Sequence, residues 1–383
     1  MKMLDWIVFA LFFANVAYLL VFAVASLIKR PLPFRPVSRF RRVAVLIPAY
    51  KEDAVVEECV MACLNQDYPK AAITVVVISD RMKDETNERL SKLPIKLVIA
   101  DYEESTKSKA LNLAMSRIED HDIALVFDAD NTVDPDFFNR LNATFENDNV
   151  RIVQAHRVAK NVNNSMAVLD AVSEESNNSI FRQGHYSLGL SSALIGSGMA
   201  FDYALFKQKM LTIHAVGGFD RNLELSFLSD GERIHYVPDA YVYDEKVQNG
   251  AAFSNQRKRW MSAQLHYFME FRTVFPKALL QGNVDFCIKF LQQLAIPRVL
   301  LLGLIPLFAV VAILIEPVTS IKWWLLFLFL CLALGLAVPR KLMNKQLVMA
   351  LVELPKVFFM MARNLFRLKG ANKQFIHTQH GAC

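Results

Sequence analysis

IALVFDADNTVDPDFF, residues 123–138, is an apolar run that ends in Asp128 and Asp130, with Asp134 and Asp136 close behind. Side chains alternate along an extended segment, so Asp128 and Asp130 point to the same side. Two carboxylates converging at a strand's carboxyl edge call for a cation. Hard oxygen ligands suit Mg²⁺ or Mn²⁺, which keep positions open for phosphate oxygens. Judged on its own, the pair equally suits a turn that caps the next helix. Asp134 and Asp136, flanking Pro135, read as helix-start residues.

The surrounding sequence places that strand in a sheet. From Arg41 to about residue 155, the apolar runs VAVLI, ITVVVIS, IKLVIA and IALVF are separated by amphipathic patterns near 53–66, 84–92 and 107–118. This rhythm predicts an α/β fold with a mostly parallel sheet, in which ligands bind beyond the carboxyl ends of the strands. The polar residues sit at those ends: PAYKED after the first strand, Asp80 after the second, and the aspartate pair after the fourth. Helical patterns follow at 164–184 and 221–230, with two glycines in LIGSGMAFD (194–202) between them.

Hydrophobic residues make up 54% of the 383, concentrated at the two ends of the chain. Residues 4–28 are long enough to cross ~30 Å of hydrocarbon, and Lys29, Arg30 and Arg35 follow. The run is too long for a signal-peptide core and reads as an uncleaved span with residue 29 onward in the cytoplasm. Two further apolar runs, 290–315 and 321–338, precede Arg340, Lys341 and Lys345. The expected organisation is a transmembrane helix at 1–28, a cytoplasmic domain at 29–250 and interfacial amphipathic helices at 251–285. Two spans at 290–339, an interfacial helix at 342–369 and a cytoplasmic tail at 370–383 complete it. Glu353, Pro355, Lys356 and Arg363 favour an interfacial helix over a fourth span at 342–369.

The formal net charge of +6 fits loops facing anionic inner-leaflet lipid of a plasma membrane. There is no basic stripe with stacking aromatics, so nucleic acid is not an expected partner. Cys59, Cys63, Cys287, Cys331 and Cys383 form neither CxxC pairs nor a zinc pattern and are expected as free thiols.

Several motifs stand in order: LIPAYKED (46–53), VVVISD (75–80), SKALNLA (108–114), DAD (128–130), and QRKRW (256–260). Together they resemble the processive, membrane-integrated family 2 glycosyltransferases, which include cellulose, chitin and hyaluronan synthases. The resemblance implies a GT-A type nucleotide-sugar domain. Pro48, Ala49, Tyr50 and Glu52 would border the nucleotide, Asp80 would hold the uracil or ribose, and Lys109 would lie near the diphosphate. Asp128 and Asp130 would hold Mg²⁺ or Mn²⁺ beside the UDP-sugar. QRKRW resembles the family's QxxRW signature, so Gln256 and Trp260 would border the acceptor while Arg257 and Arg259 help hold the diphosphate.

The family's Thr-Glu-Asp triplet, whose aspartate is the catalytic base, is missing. VGGFDRNLELSFLSDG (216–231) occupies that interval, with Asp220 at the aspartate position, Phe219 in place of the acidic neighbour, and Glu224 as the alternative base. FIHTQHG (375–381) resembles a gating loop in which Phe375 and Thr378 match, while His377 and His380 depart. The implied activity is inverting extension of a β-linked polysaccharide from a UDP-sugar, with a saccharide or lipid-linked acceptor and an export or self-association partner. Two alternatives remain: transfer of a single sugar to a lipid acceptor, and a catalytically silent nucleotide-sugar-binding scaffold.

Overall fold

A computed structural model of the chain describes residues 2–29, 37–147, 149–248 and 250–368. Among these, the strands are β1 (Val43–Tyr50), β2 (Ile73–Asp80), β3 (Lys96–Ala100), β4 (Ile123–Val126), β5 (Thr132–Val133), β6 (Ile152–Ala159), β7 (Met199–Asp202) and β8 (Ile234–Asp244). They form one sheet in the order β3-β2-β1-β4-β7-β6-β8-β5. β1 is parallel to β2 and β4, and β2 to β3, so four carboxyl ends share one edge. Beyond β4 the direction changes: β7 is antiparallel to both β4 and β6, while β6 and β8 are parallel.

The runs that predicted these strands are apolar throughout because both faces of the sheet are covered. Ala44, Leu46, Val76 and Ile78 enter the core on one face, and Val43, Val45, Ile47, Val75 and Val77 enter the core on the other. Helix Val56–Leu64 covers the second face with Val56, Cys59, Val60 and Cys63, the one-sided spacing of an amphipathic helix. Helices Lys107–Arg117 and Phe219–Ser229 cover the first.

Three described helices, Met3–Ala25, Arg298–Ile315 and Pro317–Ala337, are long and apolar enough to cross a membrane. They pack around Trp323 through Phe12, Val16, Leu301, Ile305, Ala309 and Leu330. The second span begins at 298 rather than 290, because residues 284–292 form their own amphipathic helix and Pro297 separates the two. The 342–369 region contains two helices, Lys345–Leu351 and Leu354–Leu365, of 7 and 12 residues. Each is too short to cross ~30 Å of hydrocarbon.

The predicted helix at 164–184 is α-helical over Ser165–Asn177 and widens into a π-helical segment at Asn178–Gly184. This segment docks the first span. A Cβ on Gly184 would lie 2.1 Å from the carbonyl oxygen of Phe22, so only glycine lets the two backbones meet.

Candidate active site

The parallel register brings the first residues of the site together. Tyr50 and Asp80 are direct neighbours at the ends of β1 and β2. The chain then turns sharply at both ends, and Lys51 and Arg81 each adopt φ of 56°. Left-handed backbone at a non-glycine residue costs on the order of 1–2 kcal/mol and concentrates where function requires it. Asp80 is buried, with Oδ1 lacking a hydrogen-bond partner. Burial pushes its carboxyl above the usual range, with Ser105 and Arg81 opposing. An unpaired acceptor in a cleft is a receptor for an N–H or O–H of a ligand.

Asp128 and Asp130 extend beyond β4, as their spacing predicts, in two different environments. Asp130 is buried; Oδ2 accepts from the Glu245 amide at 2.9 Å and Oδ1 from Asn131 Nδ2 at 3.2 Å. Asn131 also donates to Asp244 Oδ1 at 3.2 Å and contacts Ser197 Oγ. The half-exposed Asp128 pairs with Lys107 Nζ at 2.5 Å. Among the described residues, no three His, Cys, Asp or Glu side chains converge as a metal cage. Two hard carboxylates, one held rigidly by amide donors, nevertheless fit an ion that takes its other ligands from phosphate oxygens and water, as Mg²⁺ and Mn²⁺ do. Asp134 accepts from Tyr243 Oη, and Asp136 precedes helix Phe137–Thr144.

Lys107 lines this cavity, as does the buried Lys246. Thr106 Oγ1 caps helix Lys107–Arg117, and Lys107, in its first turn, reaches Asp128 and the Gly196 carbonyl at 2.7 Å. Lys109 stands two residues on, about 200° around the helix. Its Nζ donates to the Glu104 carbonyl and sits over the Tyr102 ring, outside the cavity. The expectation that Lys109 approaches the diphosphate is not matched by its position, because Lys107 lines the cavity and Lys109 does not. Lys107→Ala is expected to weaken binding of an anionic ligand in this cavity by roughly 10–100-fold, as for loss of a charged hydrogen bond of about 1.5–3 kcal/mol. Lys109→Ala should leave it unchanged; titration of both variants checks this.

Asp220 lies in the first turn of helix Phe219–Ser229 and on the cavity wall. Gly218 precedes it with φ of 65°, and a Cβ there would lie 2.6 Å from Ala263 Cβ and 2.9 Å from the Tyr267 ring. Gly218→Ala is expected to destabilise the fold by roughly 1–3 kcal/mol and to shift Asp220, read by thermal unfolding alongside turnover. Phe219 points into the core. Glu224 is held as a structural group: Oε2 accepts from the Leu194 amide at 2.9 Å, and Lys289 lies 3.8 Å from Oε1. Burial pushes its carboxyl up, opposed by Lys289. Of the two candidate bases, Asp220 lacks such a commitment to the core.

QRKRW lies on the long helix Gly250–Phe271. Gln256 Oε1 is buried without a hydrogen-bond partner, and Gln256, Arg259 and Trp260 face the cavity. Burial pulls the Arg259 guanidinium down, while Asp220 and Asp128 oppose, so this arginine neighbours both carboxylates. Arg257 is committed differently. It bonds Asp170 at 2.5 Å and lies against the rings of Phe253 (4.6 Å) and Trp260 (4.2 Å). The expectation that Arg257 grips the diphosphate meets a guanidinium already engaged: Arg257 lines the cavity but is paired with Asp170 and stacked on Trp260. Phe375 and Thr378 lie outside the described residues.

One cavity of about 970 Å³ takes in Pro48, Ala49, Tyr50, Glu52, Asp80, Asp128, Asp130, Asp220 and the QRKRW residues named above. The sequence matches the family described as "Glycosyltransferase like family 2" over residues 41–263, the stretch that builds this cavity's polar end. The chain belongs to that family.

Curated relatives of this family 2 glycosyltransferase differ in what their names say they make. It is 23% identical over 251 residues to the probable glycosyltransferase YdaM of Bacillus subtilis, covering 62% of this chain and 58% of that protein. It is 26% identical over 245 residues to the beta-monoglucosyldiacylglycerol synthase of Trichormus variabilis, covering 60% of this chain and 50% of that one. An N-acetylglucosaminyltransferase of Azorhizobium caulinodans is 26% identical over 62% of each chain. The matches thus span half to about three-fifths of the relatives' lengths. The fold resembles mannosyltransferase PcManGT of Pyrobaculum calidifontis, solved with GDP-Man and Mn²⁺, with a TM-score of 0.54 and 20% identity over 87% of this chain and 97% of that one. The α/β domain is of GT-A type.

On the wall of the same cavity, the glycosyltransferase carries a buried ionic network that no sequence motif announced. Glu174 accepts from Arg157 at 2.8 Å and Arg182 at 3.1 Å, and Asp244 accepts from Lys246 at 2.8 Å. Burial works against the Glu174 charge, but Arg157, Arg182 and Lys246 outweigh it and hold the carboxyl far below the usual range. Asp244 also receives Asn131, so the network reaches the residue that orients Asp130. It draws on β6, β8, helix Ser165–Asn177 and the π-helical segment. Its one sequence cue was the charged end of β8, DEK at 244–246.

Proposed function

We propose that this glycosyltransferase transfers one sugar, with inversion, from a UDP-sugar to a hydroxyl of a membrane lipid, with its catalytic domain on the cytoplasmic face of a multi-pass membrane protein. The observation that carries this reading is the continuity of the cavity. It runs from Asp128, Asp130 and Asp220 to Asn15 and Leu19 on the first span, Leu302 on the second and Leu334 and Gly335 on the third. A lipid acceptor needs its hydroxyl at the base and its hydrocarbon in the bilayer.

Asp80 accepts from the nucleotide, and Lys107 and Arg259 meet the diphosphate, where paired and oriented cations stabilise the departing charge. Mg²⁺ or Mn²⁺ on Asp128 and Asp130, when bound, supplies the remaining charge compensation. Asp220 removes the acceptor's proton as its oxygen attacks. Trp260, held by Arg257, borders the acceptor end. The glucolipid-synthase relatives support a lipid acceptor. Polysaccharide extension is the second reading, favoured by the aromatic and amide pair Trp260 and Gln256, which suits a sugar acceptor; a sideways-open cavity with three candidate spans suits a polymer channel less well.

Purified protein in detergent, given UDP-glucose, UDP-N-acetylglucosamine, UDP-galactose or UDP-glucuronate with Mn²⁺ or Mg²⁺, tests the proposal. UDP release with one donor should depend on added membrane lipid extract. Release that ignores lipid and rises with added oligosaccharide would favour the polymer reading.

A further inference from the structure

We infer that the acceptor's hydrocarbon chain enters from the bilayer through a lateral portal between the end of the third span and the paired short helices at 345–365, with Gly335 setting its width. This deepens the lipid-acceptor proposal and rests on it. The lining residues grade in exposure along the cavity. Cys331, Gly335, Met343 and Leu351 are exposed at the mouth; Leu302, Leu334, Leu347 and Leu354 are half-buried behind them; Val357 and Met361 are buried further in. Beyond these come Phe253, Trp260 and Asp220. These apolar residues and Asp220 line one continuous cavity that opens at the surface of the span bundle.

The occupant follows from where the mouth lies. Cys331 and Gly335 are one helical turn apart on a candidate span, so their exposed face meets acyl chains rather than water. A narrow apolar slot continuous with lipid on one side and a general base on the other takes the chain of a lipid whose headgroup carries the reacting hydroxyl. Helix Leu354–Leu365 fixes the opposite wall by packing on the second span, where Phe358 fills the space above Gly303. Gly335 differs: a Cβ there meets nothing within 4 Å. A Cβ added at this position therefore enters open space at the portal.

The test is a series, Gly335→Ala, Gly335→Leu and Gly335→Trp, assayed for sugar transfer to lipid in mixed micelles, with UDP binding as the control for folding. Leu314→Trp, on the exposed tip of the second span and away from the cavity, is the control for a bulky residue facing lipid. Transfer should fall with side-chain size, reaching about tenfold or more below wild type in Gly335→Trp, with UDP affinity unchanged; Leu314→Trp should match wild type. Wild-type transfer in Gly335→Trp would overturn the portal while leaving the lipid acceptor standing. A wild-type protein that labels no lipid would overturn both.

Discussion

Asp220→Asn is expected to lower turnover by about 10³-fold, or about 4 kcal/mol in the barrier, while UDP binding in the presence of metal stays at the wild-type level. The amide keeps the shape of the side chain but cannot accept the acceptor's proton. Asp220 and Glu224 both line the cavity, but Asp220 lies near Arg259, whereas Glu224 is tied to the Leu194 amide and sits near Lys289. Glu224→Gln should therefore act mainly on stability. Steady-state turnover and UDP titration on both variants check the assignment. Normal turnover in Asp220→Asn would transfer the base role elsewhere and revive the silent-scaffold or alternative-base readings.

Asp130→Ala is expected to abolish the stimulation of UDP binding by Mn²⁺ and to reduce turnover by about 10²-fold or more. The buried carboxylate accepts from Asn131 and the Glu245 amide, which orient it, so its removal takes away the fixed half of the carboxylate pair. Asp128 remains but is already paired with Lys107. Titrating UDP with and without Mn²⁺ reads this directly. Undiminished metal stimulation would place the ion away from Asp130.

The sheet and its binding edge were legible in the sequence because both depend on short-range pattern. Apolar runs of strand length, separated by amphipathic helices, place β1, β2 and β4 in parallel, and the residues just past each run then fall on one edge. Asp80, Asp128 and Asp130 were expected at that edge this way, and all three line the cavity. Asp220 came from its place in a longer motif despite Phe219 beside it, and Phe219 turned out to belong to the core.

Two expectations met the same obstacle. Lys107 and Lys109 are two residues apart on a helix, as are Arg257 and Arg259, and each pair offers the same charge to a motif reading. A separation of two places side chains about 200° apart: Lys107 lines the cavity while Lys109 does not, and Arg257 lines it already paired with Asp170 while Arg259 lies near Asp220. Which partner each charge meets depends on the helix's rotation against its neighbours, set by packing that the local sequence does not encode. The network around Glu174 was illegible for a related reason: Arg157, Glu174 and Arg182 are joined by Asp244 and Lys246 from much later in the chain, each an ordinary charge in its own neighbourhood. The broken helix at 345–365 and the portal beside it likewise arise from how separate helices pack.

The most direct test of the central claim follows the sugar itself. Protein reconstituted with a membrane lipid extract is supplied with the labelled UDP-sugar that it turns over, and the products are divided between organic solvent and water, then resolved by thin-layer chromatography and mass spectrometry. A single organic-soluble lipid bearing one sugar, absent with Asp220→Asn, is the predicted result. Label in a water-soluble or insoluble polymer, with none on lipid, would contradict the account.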